Sequence, residues 1–106
     1  MAGWERRLRG LPESRRGDLR VLEAATPRAR LLGLMGVDDL PEGVGLHLRP
    51  TRSVHTFGMR FPLDLLWLDG RGEVLRVDRS VPPRRVVGCR AARSVIEVRA
   101  WYAGSR

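Results

Sequence analysis

The stretch Ser53–Asp69, SVHTFGMRFPLDLLWLD, constrains this chain most. It sets His55, Thr56, Arg60 and Asp64 into an otherwise apolar, strand-like run and closes on a turn at Asp69-Gly70. Strand side chains alternate between two faces, so a polar residue flanked by apolar ones has a face to itself. Here that residue is Asp64, between Leu63 and Leu65-Leu66-Trp67.

The remaining signals agree. Asp18–Ala24 (DLRVLEA) suits a first strand, with Leu19 and Val21 on one face. Thr26-Pro27 opens a short helix, because threonine caps well and proline is tolerated at the first helical position. Leu31, Leu34 and Met35 are expected on its core face and Gly36 at its end. Gly33 inside it is unusual, and close packing against a strand explains it most simply. Val44, Leu46 and Leu48 alternate with Gly45, His47 and Arg49 in a strand that Pro50 ends. Ser53–Met59 and Leu63–Leu68 are expected strands around a bend at Arg60-Phe61-Pro62. Asp69-Gly70-Arg71-Gly72 is a hairpin signal, with Glu73–Asp78 returning. Val81-Pro82-Pro83 reads as a connector outside any sheet, and Arg84–Gly88 and Ser94–Arg99 as the last two strands. The fold class is mostly β, α+β by strict count: a small barrel-like or sandwich-like sheet with one short helix near residues 27–35.

A chain of 106 residues is one domain, since domains run roughly 100–150 residues. Residues 1–17 read as an N-terminal arm outside the core and 18–106 as the β-rich domain, although Trp4, Leu8 and Leu11 share a helical face. No apolar run approaches the ~20 residues of a membrane span, and the arginine-rich N-terminus lacks the apolar segment of a secretory signal. The expected location is cytoplasmic. The net charge of +8 invites a nucleic-acid reading. Yet all 20 basic residues are arginine, scattered in short doublets with no interleaved aromatic row. Weak, arginine-mediated association is expected, not a specific nucleic-acid partner.

Four residues are candidate ligand-binding groups: His55, Arg60, Asp64 and Glu97. Asp64 needs either water or a partner, because an unpaired buried charge is too costly to keep. It could instead tie down the neighbouring bend through backbone N–H groups. Glu97 repeats the pattern within Val95-Ile96-Glu97-Val98. His47, His55 and Cys89 match no zinc spacing, so no metal is expected. Cys89 reads as a small core residue, as do Phe57 and Trp67, while Trp101-Tyr102 could cap a barrel end or lie exposed. No nucleophile elbow, phosphate loop or dinucleotide fingerprint is present, and no cofactor is expected.

The residues LLGLM (31–35), SVHTFGMRFPLD (53–64), the Leu68-Asp69 and Gly72-Glu73-Val74 hairpin and Val95-Ile96-Glu97 resemble the domain of unknown function 192 family. The resemblance implies a small, mostly β domain with a short helix and no established activity. It marks Gly33, Leu34, Met35, Met59, Pro62, Leu63, Asp64, Asp69 and Glu97. The family pattern continues past the Glu97 strand into a Pro-Ala-Gly turn and a further strand, for which Arg99–Arg106 is a poor match. A missing closing strand implies an open sheet edge, and with it a homodimer or a docked arm.

Three readings follow. The first is a non-enzymatic binding or accessory module whose polar pocket, around Asp64, takes a small polar or anionic ligand or a protein partner. The second is a hydrolase- or lyase-type enzyme using Asp64 or Glu97 with His55. The third is the weak nucleic-acid association above.

Overall fold

The computed structural model describes residues 3–100. A short helix α1 (Gly3–Arg7) precedes strands β1 (Glu13–Arg16) and β2 (Leu19–Ala24). Helix α2 (Pro27–Leu32) leads to β3 (Val44–Leu48), β4 (Ser53–His55), β5 (Leu63–Leu68), β6 (Val74–Val81), β7 (Val86–Gly88) and β8 (Ser94–Arg99). Six strands form one mixed sheet in the order β1-β2-β3-β8-β5-β6, and β4 pairs with β7 in a separate ribbon. Among the described residues only β2 and β3 pair in parallel, and α2 lies in the connection between them. The fold is mostly β, and its sheets do not close into a barrel.

The last strand in the sequence is central in space. β8 pairs antiparallel with β3 on one side and β5 on the other. Glu97 stands opposite Leu46 and Leu65, both fully buried. The Glu97 strand is thus internal, and among the described residues β1 and β6 are the edges of the sheet. On the inner face Leu46, Leu48, Leu63, Leu65, Trp67 and Val95 make the core, with Leu34, Val54 and Met59 packed into it.

The N-terminal segment departs from its expected place outside the core. β1 pairs with β2, Leu8 is buried, and Trp4 and Leu11 pack against the core. The helix ends at Arg7, so these apolar residues reach the core from the helix and from the turn after it. Helix α2 is capped by the Thr26 hydroxyl, which accepts from the Ala29 N–H at 3.1 Å. It ends at Leu32, earlier than expected, so Leu34 is buried but Leu31 is 67% exposed. The strand expected over 53–59 also stops early, at His55. Phe57, expected in the core, is exposed as a result. Trp101-Tyr102 lies outside the described residues.

Gly58 shows why that strand stops. Its φ is +78°, and a Cβ there would meet Met35 Cγ at 2.5 Å. The turn Thr56–Met59, closed by a Met59 N–H to Thr56 carbonyl bond of 3.2 Å, therefore depends on glycine. Gly58→Ala combines a left-handed conformation with overpacking and is expected to lower the unfolding free energy by about 2 kcal/mol in urea titration. An unchanged midpoint would show that the turn relaxes freely.

Candidate functional site

Inner-face side chains of β3 and β8, the end of α2 and the β4–β7 ribbon enclose a cleft of about 350 Å³. Glu97 reaches it from β8, Gly33 from the end of α2, His55 from β4 and Met59 from the turn after it. Val54, Leu48 and Val86 add apolar walls, and Thr51 and Ser53 add hydroxyls.

Glu97 is the unusual member. It is 1% exposed, and its Oε1 has no hydrogen-bond partner among the described residues. Strand alternation dictates this position: with Val95 and Leu46 facing the core, Glu97 must face it too. Burial disfavours the charged form and pushes its carboxyl up to about 8. At pH 7 the group is accordingly a neutral acid, able to donate one hydrogen bond and accept others.

Gly33 leaves room for this carboxyl. Its backbone is left-handed, φ +48°, and a Cβ would stand 3.3 Å from Glu97 Oε1 and 3.8 Å from Met59 Cε. The close packing against a strand expected for Gly33 is therefore packing against the β8 carboxyl. The Gly33 N–H donates to the Ala29 carbonyl, and its own carbonyl accepts from Arg7 Nη2 at 3.1 Å. His55 is partly exposed. Its Nδ1 accepts the Phe57 N–H at 3.2 Å, which places the proton of the neutral ring on Nε2.

Of the four candidate ligand-binding residues, the fold brings His55 and Glu97 to one cleft and sets Arg60 and Asp64 elsewhere. Arg60 makes an exposed ion pair with Asp38 at 2.6 Å. Asp64 sits at a β-bulge. Leu63 pairs with Val81 and Leu65 with Asp78, so Arg79 and Ser80 together oppose Asp64. Its Oδ1 accepts the Ser80 N–H at 2.8 Å, and Arg79 lies 3.8 Å from Oδ2. Ser80 has a φ of +53°, a conformation that few non-glycine residues adopt. Asp64 thus holds a strained backbone in place, a tie to a peptide N–H on β6.

Thr56 was not singled out as a structural tie, yet it is fully buried. Its hydroxyl donates to the Pro82 carbonyl at 2.7 Å and accepts from the Arg85 N–H at 2.9 Å, locking the connector against the turn after β4. Cys89 is buried, and among the described residues no cluster of three or more His, Cys, Asp or Glu side chains could hold a metal. Among those residues, too, no helix is long and apolar enough to cross a membrane.

The model of the DUF192 family, described as Uncharacterized ACR, matches residues 11–105. This chain belongs to that family. Two solved structures share the fold. One is a protein of unknown function from Novosphingobium aromaticivorans, 18% identical, with a TM-score of 0.72 over 82% of this chain and 67% of that one. The other is a proposed transcription regulator from Sinorhizobium meliloti, 23% identical, with a TM-score of 0.71 over 82% of this chain and 73% of that one. No curated protein matches the chain. At these identities the likeness is one of fold alone. Within this member of the family, Gly33, Met59 and Glu97, which the resemblance marked, meet at the cleft.

Two measurements follow from the geometry. Asp64→Ala leaves the Ser80 N–H without its acceptor and is expected to lower stability by about 1 kcal/mol. A loss below about 0.5 kcal/mol, the usual range for an inconsequential surface change, would remove that role. The second concerns Glu97, whose folded pKa near 8 lies above its ordinary value of 4.5. Between these values the folded state holds a proton that the unfolded state has released. Glu97's contribution is therefore fully present below pH 4.5, declines by about 1.4 kcal/mol per pH unit across the window, and levels off above pH 8. His47, whose pKa burial lowers, acts in the opposite sense. The difference between the parent and Glu97→Gln isolates the Glu97 slope; parallel stability curves for the two would refute it.

Proposed function

We propose that this domain is a binding or accessory module that takes a small polar or anionic ligand in the Glu97 cleft. The observation that carries the proposal is the unpartnered, buried Glu97 Oε1 next to Gly33 in the wall of a cleft. A polar group buried without a partner costs roughly 1–3 kcal/mol. A fold that retains one where a leucine would pack well is holding it for something that enters the cleft. A neutral carboxylic acid donates to carbonyl, carboxylate or hydroxyl oxygen, and the His55 Nε2 proton adds a second donor type. The apolar walls and few polar groups are the composition of an ordinary small-molecule pocket.

A second reading has one observation in its favour. Glu97 and His55 line the same cleft, and a carboxyl that titrates near 8 suits a general acid. Hydrolase or lyase chemistry on that pair would use Glu97 as the proton donor and His55 as its helper.

Glu97→Met, close in volume and free of the polar atoms, separates retention for function from retention for stability. The variant is expected to gain about 1–2 kcal/mol in denaturant titration. Small carboxylic acids, amides and polyols that perturb the NMR signals of His55 and Met59 in the parent are expected to lose that effect in the variant. A variant destabilised by more than about 2 kcal/mol would identify Glu97 as a structural partner. Compounds that bind both proteins equally would place the ligand elsewhere.

A further inference from the structure

The opposite face of the sheet carries a second polar constellation, independent of the Glu97 cleft. His47 pairs with Ile96 across β3 and β8, one residue out of phase with Leu46 and Glu97, so its side chain projects to the other side. There Glu23 of β2, His47 of β3 and Ser94 of β8 form a continuous chain. Glu23 Oε1 lies 2.9 Å from His47 Nδ1, and His47 Nε2 lies 2.8 Å from Ser94 Oγ. Parallel pairing places Glu23 directly beside His47, and antiparallel pairing brings Ser94 diagonally to its other side.

The groups around the chain hold it in order. Ser14 Oγ donates to Glu23 Oε2 at 2.8 Å, and Arg49 Nε lies 3.2 Å from Glu23 Oε1. Glu23 thus stays an acceptor for the His47 Nδ1 proton, which leaves Nε2 as the acceptor facing the serine. Ser94 is nearly buried but lines a cleft of about 480 Å³ together with His47, Arg16, Arg49 and Arg93. Arg49 is engaged by Glu23 and Arg16 by the Gly72 carbonyl, whereas Arg93, next to Ser94, makes no ion pair among the described residues. Nucleophile, base and orienting carboxylate within hydrogen-bond reach, beside an open basic cleft, are the side-chain arrangement that covalent acyl transfer uses.

We propose that Ser94, His47 and Glu23 form a nucleophile, base and orienter that hydrolyse small esters bearing an anionic group. Ser94 Oγ attacks the ester carbonyl and forms a C–O bond while its proton passes to His47 Nε2. The tetrahedral intermediate, its oxyanion met by the cationic cleft, collapses by breaking the bond to the alcohol, which leaves with the proton from His47. Water then attacks the acyl-serine, gives one proton to His47 and releases the acid, and that proton returns to Ser94. Arg93 selects the anionic acyl portion through charge. Glu23 acts through His47 as a positioning residue.

The test is labelling of the intact protein with a fluorophosphonate, which forms an Oγ–P bond and expels fluoride. Peptide mapping is expected to find one adduct, on Ser94, absent from Ser94→Ala. The labelling rate and the hydrolysis of mono-(4-nitrophenyl) succinate are expected to fall in His47→Gln by a factor on the order of 10³. Glu23→Gln is expected to move the acidic limb of the rate profile to lower pH, because the carboxylate holds the His47 pKa up. An unlabelled folded parent, or an adduct mapped to another residue, overturns the proposal. Mapping on the parent decides this even where a variant fails to fold.

Discussion

The structure depends on the central placement of β8. A strand with neighbours on both sides satisfies its backbone groups within the sheet, and it can present residues to both faces of a covered layer. β8 does both. Its inner side carries Val95 and Glu97 into the core and its outer side carries Ser94 and Ile96 to the face that also holds His47. Both polar constellations in the domain therefore meet on one strand, one on each face.

The two constellations resolve the same physical problem differently. On the outer face the buried polar atoms have partners: glutamate, imidazole and hydroxyl satisfy one another, and an arginine and a second hydroxyl complete the carboxylate. On the inner face Glu97 lies among fully buried leucines, Leu46 and Leu65, and neutralises by holding its proton. Gly33 and Met59 close around it without supplying a donor. An acid held in that state can donate a hydrogen bond, whereas the outer-face carboxylate already has its partners.

Asp64 and Arg60 show how far adjacency in the sequence can mislead about adjacency in space. Both sit within ten residues of His55, yet a strand moves the chain about 3.3 Å per residue and alternates its faces. His55 turns toward the cleft, Arg60 toward Asp38, and Asp64 toward the β6 bulge. Glu97, far away in the chain, arrives beside Gly33 because β8 inserts between β3 and β5.

Local chemistry is what the sequence by itself determined. The Thr26-Pro27 cap, the Asp69-Gly70 hairpin, the alternation of β3, β5 and β8 and the mostly β class all follow from interactions within a few residues. The Gly33 anomaly was visible there too, as a residue needing a close neighbour. The neighbour's identity was not, since strand order depends on which faces bury most apolar surface together, a sum over the whole chain. The early ends of α2 and β4, the docking of Leu8 and the bulge at Asp64 were settled in that same competition. So was the Glu23-His47-Ser94 chain: three strands distant in sequence had to be laid side by side before their side chains could meet.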